Sequence, residues 1–388
     1  MKTIDQKTIN TLRVLAAEEV QGANSGHPGL PLGAAPVAYT IWANAMKHSP
    51  KNPQWADRDR FVLSAGHGSS LLYALLHMFD YGLTLDDLKN FRQADSLTPG
   101  HPEFGHTKGV EITTGPLGQG IANGVGMAMA EEYLAAHFNR PGHEIVNHYT
   151  YVLCGDGCMM EGISSEAASL AATLGLGKLI LFYDSNSITI EGSTEIAFTE
   201  DVSARFAAYG WQTLAGEDGN DTDAISAAIS AAKAETGKPT LIKVTSVIGF
   251  GSPNAGTATV HGEPLGAENL KALKETLGLC ADEWCVDRDV RAHMAETVST
   301  LNANADAWDA QFAAYAAAYP ELAAEWNTGL AGKADLSVID TPEYWAFENK
   351  PVATRALSGE VLNRLAKVVP NLIGGSADLA PSNKIYMK

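Results

Sequence analysis

The sequence predicts an α/β protein: a parallel sheet flanked by helices, followed by the start of a second α/β domain. Three apolar or β-branched runs carry that prediction, YTYVLC at 149–154, KLILFYD at 178–184 and TLIKVTSV at 240–247, with helix-like stretches such as EGISSEAASLAATLGL between them. Strands that alternate with helices form parallel sheets, because each return to the same edge needs a crossover of helix length. Ligands of such sheets lie beyond the carboxyl ends of the strands. Asp156 follows the first run, between two glycines, and Asn186 follows the second.

Composition sets outer limits on function. The chain has 388 residues, 45% hydrophobic and 19% charged, which suits two or three domains at roughly 100 to 200 residues each. No apolar run approaches the ~20 residues of a membrane span, and MKTIDQKTINTLRVLAAEEV lacks an apolar core with a small-residue cleavage site, so a cytoplasmic protein is expected. Forty-five acidic residues against twenty-seven basic ones give a formal charge of -18. Nucleic acid and anionic membranes both need a basic footprint, so neither is an expected partner. The four cysteines fall as Cys154/Cys158 and Cys280/Cys285, spacings that fit neither a zinc ribbon nor a redox C-x-x-C. Reduced thiols are expected.

Further elements follow from periodicity. SAGHGSSLLYALLHMF places apolar residues 71, 72, 75, 76 and 79 on one helical face, with Ser69 or Ser70 near its start and His67 just before it. TTGPLGQGIANGVGMAMAEEYLAAHF reads as a second loop running into a helix, whose first turns hold Gly120, Ala122, Gly124 and Gly126. Glycine costs ~1 kcal/mol relative to alanine inside a helix, so this density predicts close approach of another helix or a ligand. EDGNDTDAISAAI, 217–229, has the outline of a calcium loop but carries Ile229 where that loop needs a glutamate, and it reads as a helix start. After residue 280 the chain is helical and rich in alanine, tryptophan and acids. The expected domains are 1–320, a linker at 321–350, and 351–388, where VATRALSGEVLNRLAKVVPNLIGGSADLAPSNK reads as helix, strand and loop.

Asp156 and Asn186 offer a carboxylate and a carboxamide at neighbouring strand ends. Two hard oxygens so placed form part of the shell that Mg²⁺ or Ca²⁺ uses when phosphates complete the coordination. The glycines at 155 and 157 let backbone approach a phosphate at a helix start. Taken alone, GDG also reads as a turn whose aspartate caps a helix. Followed 29 residues later by Asn186, it resembles the thiamine diphosphate motif, and that resemblance implies the carbonyl of Ile188 as the third metal ligand.

Gly-His pairs narrow the resemblance. SGHPGLPLG carries His27, SAGHGSS carries His67, PGHPEFGHTKGVEITTGPLGQG carries His101, and GFGSPNAGTATVHGEPLG carries His261. With RVLAAEEVQGANSGHPG and the terminal GGSADLAPSNK, they resemble the N-terminal half of the transketolase family across essentially the whole chain. The resemblance implies that Gly115, Pro116 and Leu117 line the cofactor, that His67, Gly157 and His261 reach its diphosphate, and that Asp156, Asn186 and Ile188 hold the metal. It implies that His27, His101, His261, Arg355 and Ser382 meet a phosphosugar substrate and that Asp378 lies beside thiamine. It also implies that Glu161 joins a proton path between the two cofactors of a homodimer. The implied reaction moves a two-carbon ketol unit from a ketose phosphate such as xylulose 5-phosphate to an aldose phosphate such as ribose 5-phosphate, in the pentose phosphate pathway. Protons must then move on substrate oxygens, work that suits imidazole.

Two other readings stand beside it: a thiamine-dependent synthase with the same GDG motif, and a non-catalytic cofactor-binding subunit or half of a split enzyme. The glutamate and aromatic residues that the family uses on the aminopyrimidine would fall beyond Lys388. A chain ending there is expected to be truncated and inactive alone.

Overall fold

The computed structural model describes residues 3–330, 336–369 and 371–388. Among them, β1 (Arg60–Leu63), β2 (Thr150–Gly155), β3 (Leu179–Ser185), β4 (Gln212–Asp218) and β5 (Thr240–Thr245) form one sheet in the order β1-β2-β3-β5-β4. Every pairing is parallel. β2 is buried along its whole length, as a central parallel strand covered on both faces must be. The register sets Gly155 opposite Asp184, so the chain leaving β2 and the chain leaving β3 emerge side by side. Asp156 and Asn186 begin those two exits.

The three strands read from the sequence are β2, β3 and β5. β1 and β4 are not legible there, and both lie at the sheet edges. β1 is only the four residues RFVL, while β4 is the polar run QTLAGED, with a register shift between Leu214 and Glu217. Three of the four residues of β1 are buried, but the strand is too short to stand out as a run, and β4 interrupts its apolar residues with polar ones. β4 also takes residues 217–218, which the sequence assigns to a helix start; the helix Thr222–Ala234 begins after them, where Asp221 Oδ1 accepts the amides of Asp223 and Ala224 at 3.0 Å.

Helix Gln119–Phe138 packs along β1, β2 and β3 and against helix Gly162–Thr173. Gly120 and Gly124 are the positions pressed against the strand side. A Cβ on Gly120 would stand 2.5 Å from Ser64 Cα, and one on Gly124 would stand 2.4 Å from Val152 Cγ2. Gly126 faces open space. Helix Ser69–Met78 starts at Ser69, with Gly68 as its N-cap, and the Ser69 hydroxyl donates to the Gly100 carbonyl at 2.8 Å, tying the helix to the loop that carries His101. All four cysteines are free thiols. Among the described residues no helix is long and apolar enough to cross a membrane.

Contacts divide the chain into two compact units, Met1–Ala310 and Gln311–Lys388. The division falls ten residues before the boundary drawn at 320, inside the helix Arg288–Ala318. Part of the segment read as a linker, 321–350, is helix Pro320–Leu330, and 331–335 lie outside the described residues. Within the second unit, helix Thr354–Ala366 is followed by loop, then by the short helix Ala380–Asn383. The strand expected between them does not form among the described residues, where this unit offers no second strand to complete its ladder.

Candidate active site

The site grows from the carboxyl ends of β2 and β3. Asp156 is the first residue of helix Asp156–Met160, but its carboxylate does not cap that helix. Oδ1 accepts the Tyr183 hydroxyl at 2.5 Å, and Oδ2 accepts the amides of Asn186 at 3.2 Å and Ser187 at 2.9 Å. Burial is the main influence on this carboxyl and pushes its pKa up. Ser187 turns the chain with φ at 62°, and Asn186 Oδ1 accepts the Ile188 amide at 3.0 Å. Ile188 bridges Ser193 through hydrogen bonds of its neighbours, Thr194 to Ser187 and Thr189 to Gly192, which leaves its own carbonyl outside that bridge. The available donors are one carboxylate, one amide oxygen and one main-chain oxygen, a set suited to a hard cation.

Histidines close the opposite wall. His67 sits in the single turn Gly66–Gly68, and its ring lies 5.1 Å from His27 and 5.2 Å from His261, centroid to centroid, with His27 and His261 5.8 Å apart. The turn is pressed so closely on the next loop that a Cβ on Gly66 would stand 2.6 Å from the Gly115 amide nitrogen. Gly115, at φ +150°, packs its α-carbon against the His101 ring, 3.2 Å from where a Cβ would be.

Burial lowers the pKa of all four histidines. His27 is brought down to about 4, with His261, Arg92 and His101 adding repulsion. His67 lies well below the ordinary value, and His101 and His261 are lowered in the same direction. Near pH 7 each ring is therefore neutral, with one nitrogen to donate and one to accept. The Nδ1 atoms of His27 and His261 are buried without a hydrogen-bond partner. Buried polar atoms left unpaired are expensive, so both point to a ligand that completes them.

These groups share a cavity of about 320 Å³. The structure brings His27, His67, His101 and His261 to it together with Gly115, Leu117, Asp156, Gly157, Glu161, Asn186 and Ile188. Pro116 is exposed, and its neighbours form the wall. Arg355, Asp378 and Ser382 belong to the second unit, where all three are exposed. An oxygen donor set, backbone glycines and two unsatisfied ring nitrogens around one cavity fit a diphosphate carrying a divalent cation.

Residues 4–335 match the family model for the thiamine diphosphate binding domain of transketolase. The chain belongs to the transketolase family. It is 55% identical to the transketolase of Geobacillus stearothermophilus over 390 residues, which cover 100% of this chain and 58% of that protein. The chloroplastic transketolase of Zea mays is 54% identical over 99% of this chain and 57% of its own. Among solved structures, Pichia stipitis transketolase in complex with sedoheptulose-7-phosphate superimposes with a TM-score of 0.94 at 49% identity, covering 100% of this chain and 57% of that one. The transketolase family chain thus spans less than two thirds of the relatives it matches.

Sequence motifs pointed to the cavity's histidines and to Asp156, but not to the groups that hold them. Tyr183 and Asp184 lie inside a strand that reads as apolar, and Ser246 lies just past β5; they become site residues only when three strand ends meet. Arg92, whose Nη1 donates to Ser25 Oγ at 3.0 Å beside the His27 loop, was likewise not legible. A buried aspartate two residues before Asn186 was the one available signal.

Proposed function

We propose that this chain supplies the diphosphate-binding part of a transketolase, which transfers a two-carbon ketol unit between phosphosugars. The observation that carries the reading is the meeting of the Asp156/Asn186 oxygens with unpartnered His27 and His261 nitrogens across one cavity. Asp156, Asn186 Oδ1 and the Ile188 carbonyl would hold Mg²⁺ or Ca²⁺. His67, His261 and Gly157 would face the diphosphate, and Gly115, Pro116 and Leu117 would line the cofactor, with Asp378 beside thiamine. Thiamine diphosphate, when bound, supplies the electron sink for making and breaking the carbon–carbon bond.

The chain's own residues supply proton handling and shape. His27, His101 and His261, neutral near pH 7, can hold or pass a proton at substrate hydroxyls, while Arg355 and Ser382 would meet the sugar phosphate. Leu30 and Ile248 present apolar surface to the cavity and limit water there. Glu161 would pass protons between the two sites of a homodimer. Leu170 and Leu174, at 45% and 47% exposed, leave apolar surface near helix Gly162–Thr173 that supports such a dimer, which sedimentation velocity would test. The four free thiols support a reducing compartment, the cytoplasm. The relatives above are named transketolase, which favours ketol transfer over the synthase reading.

Calorimetric titration of the chain with thiamine diphosphate and Mg²⁺ tests the reading. Binding is expected to vanish on chelation and in Asp156→Ala, which removes the only formal negative charge among the proposed ligands. Undiminished affinity in that variant, with its circular dichroism unchanged, would sink the proposal.

A further inference from the structure

We propose that Asp184 is a positioning residue for the cation, fixing which way round the Asn186 amide stands. The inference rests on Asp156, Asn186 and Ile188 being the metal ligands. A carboxamide has two ends of nearly equal shape, and only the oxygen end can bind a metal. Something must prevent the NH₂ end from turning into the site.

Asp184 does this by geometry. It is 1% exposed, and its Oδ2 accepts Asn186 Nδ2 at 2.8 Å. A carboxylate only accepts, so the NH₂ alone can face it. From the other side the Ile188 amide donates to Asn186 Oδ1, which again requires oxygen there. Asp184 is in turn held by the Ser246 hydroxyl, which donates to its Oδ1 from just past β5. Residues 184 and 186 are two apart at a strand end, the spacing that returns a side chain to the same face.

Stability alone gives no reason for a carboxylate at this position. Among the described residues Asp184 has no ion-pair partner. Burying a carboxyl without a cation is unfavourable, and two hydrogen bonds offset only part of that cost. Here both hydrogen bonds converge on the orientation of one proposed ligand, as partners behind a metal site commonly do.

The test is Mg²⁺ titration of the chain by calorimetry with thiamine diphosphate present. Asp184→Asn keeps shape but replaces an acceptor-only group with one that can offer its own NH₂ to Asn186, leaving only the Ile188 amide to hold the oxygen in place, and is expected to weaken Mg²⁺ binding by ~10- to 100-fold without lowering the metal-free thermal midpoint. Combining Asp184→Asn with Asn186→Asp reverses donor and acceptor, restores an oxygen facing the metal, and should recover most of the affinity. A single variant within twofold of wild type, or a double variant no tighter than the single, would overturn the inference. Should Asp184→Asn not fold, Ser246→Ala removes only the hydroxyl that holds Asp184: a Mg²⁺ Kd raised severalfold supports the inference and an unchanged one overturns it. If the wild type itself binds no Mg²⁺ with the cofactor present, the metal reading fails instead, which is a separate result.

Discussion

His27 shows how a residue's role depends on what surrounds it. In the sequence it is one of several Gly-His pairs; in the structure its ring contacts His67 and His261, its Nδ1 has no partner, and burial holds its pKa down to about 4. A ring kept neutral beside a cavity is suited to exchanging protons with substrate hydroxyls, and an unpaired nitrogen in the free protein stabilises nothing. Under the proposed function, His27→Ala is therefore expected to lower kcat for ketol transfer by ~10²- to 10⁴-fold, with the thermal midpoint no lower than wild type. Near-normal ketol transfer would return His27 to a packing role. The same scale explains what was missed. Tyr183 and Asp184 sit among Leu, Ile and Phe in a buried strand, and their polarity acquires meaning only from Asp156 and Asn186 across the strand ends.

Helix Gln119–Phe138 separates two uses of glycine that look alike in sequence. Gly124 is pressed on Val152 of β2, a branched side chain in a close-packed sheet, whereas Gly126 meets nothing within 4 Å. Gly124→Ala should lower the unfolding free energy by about 1–3 kcal/mol through overpacking. Gly126→Ala should raise it by about 0.5–1 kcal/mol, since the backbone is helical and the space is open. Urea unfolding of both variants checks the contrast, and equal effects of the same sign would refute it. Central strands β2, β3 and β5 were legible because burial on both faces demands continuous apolar runs. Of the edge strands, β1 is mostly buried but only four residues long and β4 is largely polar, so neither stood out.

Across the whole molecule the formal charge is -18 with histidines counted as neutral, the state that burial favours for His27 and His67. Self-repulsion of that kind opposes compactness and is screened as the Debye length falls from about 30 Å at 0.01 M salt to about 8 Å at 0.15 M. The thermal midpoint at pH 7 is expected to rise over that range of sodium chloride, and the rise should fade near the sequence pI of about 5.0, where net charge is small. Differential scanning calorimetry at the two pH values decides it; a salt response of equal size at both would show that charge repulsion is not its source.

The amino-acid sequence by itself determined the α/β class, the three central strands, the family and the motifs that meet at one cavity, because periodicity and short spacings are local properties of a chain. Only the tertiary structure decided that His27, His67 and His261 form one cluster and that Asp156 accepts from Tyr183 and not from its own helix. It also showed that Asp184 and Ser246 stand behind Asn186. These contacts join segments 27 to 234 residues apart or depend on where a side chain points after a strand ends. Distances of that kind are set by strand register and loop packing, which no local pattern encodes.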